Sequence, residues 1–123
     1  MSCMILKDNF YKICKIWQFS DNSFRVRAEL SSEHKIYAGH FPGKPVVPGV
    51  CTLTIIKECL SEILKRKIEF VSIKECKYTA ALLPEKGLYI TIDMEISDSG
   101  KIEAVVMKEK NSQTVLKLKA TTR

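Results

Sequence analysis

The sequence predicts an α+β domain in which one antiparallel sheet wraps a single long helix. Three observations lead there. Segments near both ends of the chain alternate apolar and polar side chains with period two, as strands with one wet face do. Between them, the stretch from Pro48 to about Arg66 changes to the helical period. Short turn clusters then join successive strands, which is the connection antiparallel neighbours use.

The elements follow in order. Residues up to about Asn9 read as a short helix or a loose end. Tyr11 to Phe19 carries Tyr11, Ile13, Trp17 and Phe19 on one parity, as a half-buried strand would. Ser20-Asp21-Asn22-Ser23 is a turn cluster. Phe24, Val26, Ala28 and Leu30 then alternate with Arg25, Arg27 and Glu29, completing a hairpin. Pro48 suits the first helical position, where its missing N–H costs nothing. Thr52, Leu53, Ile56, Cys59, Leu60, Ile63 and Leu64 cover one broad side of the helix, and Thr54, Lys57, Glu58, Ser61, Glu62 and Lys65 the other. An apolar arc of more than half the circumference predicts a helix sunk deep in the domain.

After the helix, Lys67 to Leu83 reads as one long strand that switches parity near Phe70-Val71, which predicts a bulge. Pro84 to Gly87 breaks it from the next strand, where Leu88, Ile90, Ile92, Met94 and Ile96 alternate with Tyr89, Thr91, Asp93 and Glu95. Asp98-Ser99-Gly100 turns the chain into Ile102 to Met107, and Asn111-Ser112-Gln113 turns it into Thr114 to Ala120. No repeat or linker interrupts this order, so residues 1–123 read as one domain.

Size and charge narrow the function. A chain of 123 residues can bury one core but not two. Twenty Lys and Arg against fourteen Asp and Glu give a net charge of +6, which favours acidic partners. The basic residues are spread out, with Lys65-Arg66-Lys67 their only cluster, so nucleic acid is not the expected partner. That cluster reads as cations at the negative end of a helix, or as a docking point for an acidic protein. Five cysteines with no C-x-x-C spacing, and only two histidines, argue for buried or free thiols in a reducing compartment and against a metal site, and no cofactor is expected. Cys51, near the helix N-terminus, reads as small apolar packing rather than as a nucleophile. Without an N-terminal apolar stretch or a membrane-length segment, the expectation is a soluble cytoplasmic protein.

The chemistry is concentrated in residues 39 to 50, Gly-His-Phe-Pro-Gly-Lys-Pro-Val-Val-Pro-Gly-Val. Here a histidine stands on a loop stiffened by prolines and glycines that runs into the helix start. Imidazole, with an ordinary pKa near 6.5, is the side chain best matched to proton abstraction at neutral pH. A nearby helix N-terminus would keep it uncharged and would offer N–H donors to a developing oxyanion. Gly49 therefore reads as an oxyanion donor, though backbone freedom alone would also account for a glycine there. His40 reads as the base; its alternative is a loop histidine that only bonds the backbone. His34 reads as a surface or hydrogen-bonding residue, and Tyr37 as packing.

Gly39-His40-Phe41-Pro42-Gly43-x-Pro45-x-x-Pro48-Gly49-Val50, with the order of elements around it, resembles the hot-dog-fold β-hydroxyacyl-acyl-carrier-protein dehydratases of fatty acid synthesis. The motif match covers about twelve residues; the order of elements extends it over the domain. The resemblance implies a curved antiparallel sheet around a central helix, paired into a dimer; the expected assembly is a homodimer or dimer-based oligomer, with a heterodimer as the alternative. It implies reversible loss of water from a 3-hydroxyacyl thioester on acyl carrier protein. In that family the residue matching His40 removes the C2 proton and the N–H matching Gly49 receives the thioester carbonyl. Phe41, Pro48 and Val50 would line the acyl site.

One position departs from the pattern. The family's Glu or Asp, supplied by the partner's helix to protonate the leaving hydroxide, corresponds here to Thr54. A hydroxyl can hold a water or the substrate but is no carboxylic acid. Glu58, one helical turn on, shares that face and is a candidate displaced acid; its alternative is a salt bridge with Lys57, a neighbour of Glu62 or a sheet residue. Ser61, on the same arc, reads as plain solvation. Two other functions fit the same residues: a non-catalytic acyl-binding or dimerisation subunit, and an acyl thioesterase.

Overall fold

The computed structural model describes residues 10–31, 47, 49–83 and 87–123. The expectations for residues 1–9 with Cys3, and for His34, Tyr37, His40, Phe41, Pro42, Gly43, Pro45 and Pro48, lie outside those described residues. Strands β1 (Tyr11–Gln18) and β2 (Ser23–Leu30) form a hairpin and precede helix α1 (Gly49–Leu64). Four strands follow: β3 (Phe70–Tyr78), β4 (Leu88–Ile96), β5 (Lys101–Lys108) and β6 (Thr114–Thr122). They form one six-stranded sheet in the order β1-β2-β4-β5-β6-β3. Every pairing in it is antiparallel. This is the α+β architecture the sequence predicts.

The two alternating segments lie side by side as expected of strands sharing a core face. Val26 pairs with Ile92 and Ala28 with Ile90, so the apolar parity of β2 continues across β4. Ile92 pairs in turn with Val106 and Met94 with Ala104 on β5, and Val106 with Leu116 on β6. All of these are buried and join one cluster with Cys51, Ile55, Ile56, Cys59 and Leu60 of the helix. The outward face of β2 and β4 is polar: Arg25 bonds Asp93 through two nitrogens, and the Arg27 guanidinium stands 4.1 Å from the Tyr89 ring centre.

Three details differ from the sequence reading. In α1 the buried residues are Cys51, Thr52, Ile55, Ile56, Cys59 and Leu60, while Leu53, Ile63 and Leu64 are only partly covered. Two rows at four-residue spacing, 51-55-59 and 52-56-60, therefore face the sheet, and the stripe is turned toward Cys51 and Ile55. In β1 the register shifts between Ile13 and Lys15, so the single inward parity expected over Tyr11–Phe19 is broken and Phe19 is 64% exposed. The strand expected over Lys67–Leu83 is shorter. Its bulge near Phe70-Val71 is present as a shift between Phe70 and Ser72, followed by a second between Ile73 and Glu75.

The helix ends without the glycine usual at such a point. Lys65 takes the left-handed conformation (φ 57°), and the Arg66 N–H reaches back to the Ser61 carbonyl at 3.3 Å. That bond closes a Schellman-type end with a lysine at the left-handed position. Ser61 does more than meet solvent: its hydroxyl donates to the Lys57 carbonyl (3.0 Å) and accepts the Ile68 N–H (3.1 Å), tying the helix end to the chain entering β3. A side chain at positive φ costs about 1 kcal/mol that glycine does not. Lys65→Gly is therefore expected to raise stability by about 0.5–1 kcal/mol, read as a higher urea midpoint at unchanged slope.

Candidate active site

The site begins where α1 begins. Gly49 opens the helix, and no acidic residue stands in the first turn. The positive end of the helix dipole is therefore not offset by a carboxylate of its own first turn. The chain just before it is held by the Val47 N–H, which donates to the Leu82 carbonyl at 2.8 Å. On the far side, Thr79 is pinned twice to β6, through its N–H to the Val115 carbonyl (2.8 Å) and its hydroxyl to the Thr114 carbonyl (2.7 Å). Between these fixed points lies a cavity of about 390 Å³, lined by Val47, Gly49, Thr52, Tyr78, the segment Thr79–Leu82 and Val115. That volume lies within the range that holds small ligands, and the lining is largely apolar with a few hydroxyls.

Tyr78, at the end of β3, is the closest neighbour of the helix start. A Cβ placed on Gly49 would stand 2.7 Å from the Tyr78 hydroxyl oxygen and 2.8 Å from the carbon bearing it. Glycine at 49 is thus required by the approach of a phenol. Burial, with the Cys76 thiol on the same strand as a smaller cause, pushes the Tyr78 phenol up to about 12. Its proton is retained throughout the neutral range. Val50, next along, is 67% exposed.

The two candidates for the acid are otherwise engaged. The Thr54 hydroxyl donates to the Val50 carbonyl one turn back (2.9 Å), a bond within its own helix. Glu58 accepts from the Tyr11 hydroxyl of β1 at 3.0 Å, which joins the helix to the edge strand. So Thr54 and Glu58 share a face of α1, yet each is directed to a different partner. Cys51 is buried, and that burial raises its thiol's pKa, as fits packing rather than nucleophilic use. Among the described residues no group of three or more His, Cys, Asp or Glu could hold a metal.

Tyr11 gives this region a pH signature. Burial first, then its neighbours Cys59 and Glu58, raise its phenol well above the ordinary 10.0. The unfolded chain releases this proton near pH 10 while the folded one keeps it. The associated stability is therefore complete below about pH 10 and is lost as pH rises further. Tyr11→Phe is expected to cost about 1–2 kcal/mol at neutral pH and to flatten the alkaline decline, measured by urea unfolding at several pH values.

Sequence reasoning missed Tyr78 because it stands far from Gly49 along the chain and belongs to no motif. The one sequence signal was an aromatic with a hydroxyl on the expected strand, just before Thr79-Ala80-Ala81.

Residues 17–117 match the ApeI-like family model, described as ApeI dehydratase. A 3-hydroxyacyl-(acyl-carrier-protein) dehydratase FabZ from Latilactobacillus sakei is 29% identical over 91 residues, covering 68% of this chain and 65% of the relative. The chain thus spans just under two thirds of that relative's length. Among solved structures, the dehydratase heterocomplex ApeI:P from Xenorhabdus doucetiae superposes with a TM-score of 0.77 at 19% identity, over 89% of this chain and 95% of that one. A hypothetical thioesterase from Streptococcus pneumoniae, solved with coenzyme A, gives 0.61 at 15% identity, over 96% and 90%. The fold shared with these structures is the hot-dog fold. The match spans most of the domain, and the chain belongs to the ApeI-like dehydratase family.

Proposed function

We propose that this chain removes water from 3-hydroxyacyl thioesters presented on acyl carrier protein, giving the 2-enoyl thioester. The observation carrying this reading is the cavity lined by Gly49, at a helix start with no acidic residue in its first turn. The thioester carbonyl takes its place at the Gly49 N–H. His40 removes the C2 proton, the electron pair moves toward the carbonyl, and the enolate oxygen is held by N–H donors and the helix dipole. As the C2–C3 double bond forms, the C3–O bond breaks, and the departing hydroxide takes a proton to leave as water. Phe41, Pro48 and Val50 flank the acyl chain. No cofactor is needed for this elimination.

The proton for the hydroxide is the weak point of the chain alone. Thr54 would have to be freed from Val50, and Glu58 from Tyr11, before the pair could serve as the hydroxyl-side acid. A carboxylate from a partner chain supplies the same proton without either rearrangement. The assembly is therefore read as a dimer, and the ApeI:P heterocomplex favours one built from two different chains. The sheet ends at β3, which carries exposed Val71 and Ile73 and pairs with no strand on its outer side among the described residues; this is the edge at which a partner would join. The net charge of +6 suits an acidic carrier protein. Cys14, Cys51 and Cys76 carry free thiols, which suits the cytoplasm, and no described helix is long and apolar enough to cross a membrane.

The thioesterase in the same fold supports a second reading, hydrolysis of an acyl thioester. One experiment separates the two. The protein, alone and with a carboxylate-bearing relative, is mixed with a 3-hydroxyacyl carrier-protein thioester while enoyl absorbance and free thiol are followed together. Enoyl formation without thiol release is expected. Thiol release that does not depend on the 3-hydroxyl group would replace dehydration with hydrolysis. Binding without either product would leave a non-catalytic subunit.

A further inference from the structure

We propose that the Tyr78 hydroxyl is a second donor to the thioester carbonyl, completing with the Gly49 N–H the site that holds the enolate oxygen. This rests on the dehydratase reading above and adds to it a catalytic residue on a different element. The geometry carries it. The phenol oxygen lies 2.7 Å from the Cβ position of Gly49, which sets it beside the stretch of backbone that carries this glycine's N–H. Tyr78 and Gly49 line the same cavity, and the ring is held at the end of a strand whose neighbour Thr79 is fixed twice to β6. The hydroxyl keeps its proton at neutral pH, as a donor must, and its side-chain partner is the weakly accepting Cys76 thiol, which a carbonyl oxygen would displace. Among the described residues lining the cavity, Thr52 and Thr79 also bear hydroxyls, but that of Thr79 is already given to the Thr114 carbonyl. A phenol beside a backbone N–H is also chemically apt. The enolate oxygen gains charge in the transition state, and a preformed donor pair stabilises that charge more than it does the ground-state carbonyl.

The same contact has a plainer alternative, in which the ring merely covers the helix start. Tyr78→Phe distinguishes them, because it keeps the ring and removes the donor. The probe is a 2,4-dienoyl pantetheine thioester, whose absorption moves to longer wavelength when its carbonyl is polarised and whose binding requires no acid. Wild-type protein is expected to bind the probe with a red shift. Tyr78→Phe is expected to bind it with little change in affinity but with most of the shift lost. On the 3-hydroxyacyl substrate, kcat should fall about 10²-fold with KM nearly unchanged, the loss typical of one oxyanion donor. Equal shift and equal turnover in wild type and Tyr78→Phe would overturn the donor role while leaving the dehydratase reading intact. Turnover in wild type with no red shift would overturn it as well. A wild-type protein that neither binds the probe nor forms enoyl product would sink the dehydratase reading and this inference with it. Tyr78→Ala serves as the control for covering: if the ring acts only as a lid, this change alters KM while Tyr78→Phe behaves as wild type.

Discussion

His40→Ala is expected to lower enoyl formation from a 3-hydroxyacyl carrier-protein thioester by about 10²–10⁴-fold, the span a positioned base contributes. The loss should fall on kcat, because the imidazole acts on the C2 proton in the transition state and adds little to binding of the acyl chain. A residual rate should persist, since the donors at the helix start still hold the carbonyl oxygen. The pH profile gives a second check. Wild-type kcat/KM should decline toward acid pH as a catalytic base takes up its proton, and His40→Ala should lose that decline. Equal turnover by the two proteins, or an unchanged acid limb, would remove His40 from the reaction.

Much of the fold was legible because its information is local. Alternation in β2 and β4 states which face is buried, and the sheet simply aligns those parities, Val26 beside Ile92 and Ala28 beside Ile90. The helix was legible in span but less so in orientation. A wide apolar arc leaves its exact facing to the sheet, and the sheet selected the rows through Cys51 and Ile55 rather than Leu53 and Ile63. The β1 bulge at Ile13/Lys15 carries no glycine or proline to announce it. In the site, the helix start was written in Pro48-Gly49, whereas its closest neighbour was not. Tyr78 reaches Gly49 because the sheet carries the end of β3 to the head of α1, a tertiary fact without a sequence period. Ser61 and Glu58 show the same limit from the other side. Both looked like members of a polar helical arc, yet each meets a group from another segment, the Ile68 N–H and the Tyr11 hydroxyl.

Thr54→Glu is expected to raise dehydration by the isolated chain by about 10²-fold or more, the contribution of a placed acid. The fold should accept the change. Glutamate is a better helix former than threonine, it releases the bond from the Thr54 hydroxyl to the Val50 carbonyl, and a carboxylate in the early turns of a helix is favourably placed toward its positive end. The gain should depend on pH in a characteristic way. The new carboxyl must carry a proton while His40 lacks one, so activity should peak between their two pKa values and fall on either side. Combining Thr54→Glu with His40→Ala should return the rate to that of His40→Ala, because an acid on the hydroxyl cannot act until C2 has lost its proton. Adding a carboxylate-bearing partner chain should accelerate the wild type strongly and Thr54→Glu much less, since the engineered chain already holds the group the partner brings. A Thr54→Glu protein that is folded, dimeric and no faster than wild type from pH 5 to 8 would show that position 54 does not approach the substrate hydroxyl. The missing proton would then have to come from elsewhere, with Glu58 released from Tyr11 the next residue to change.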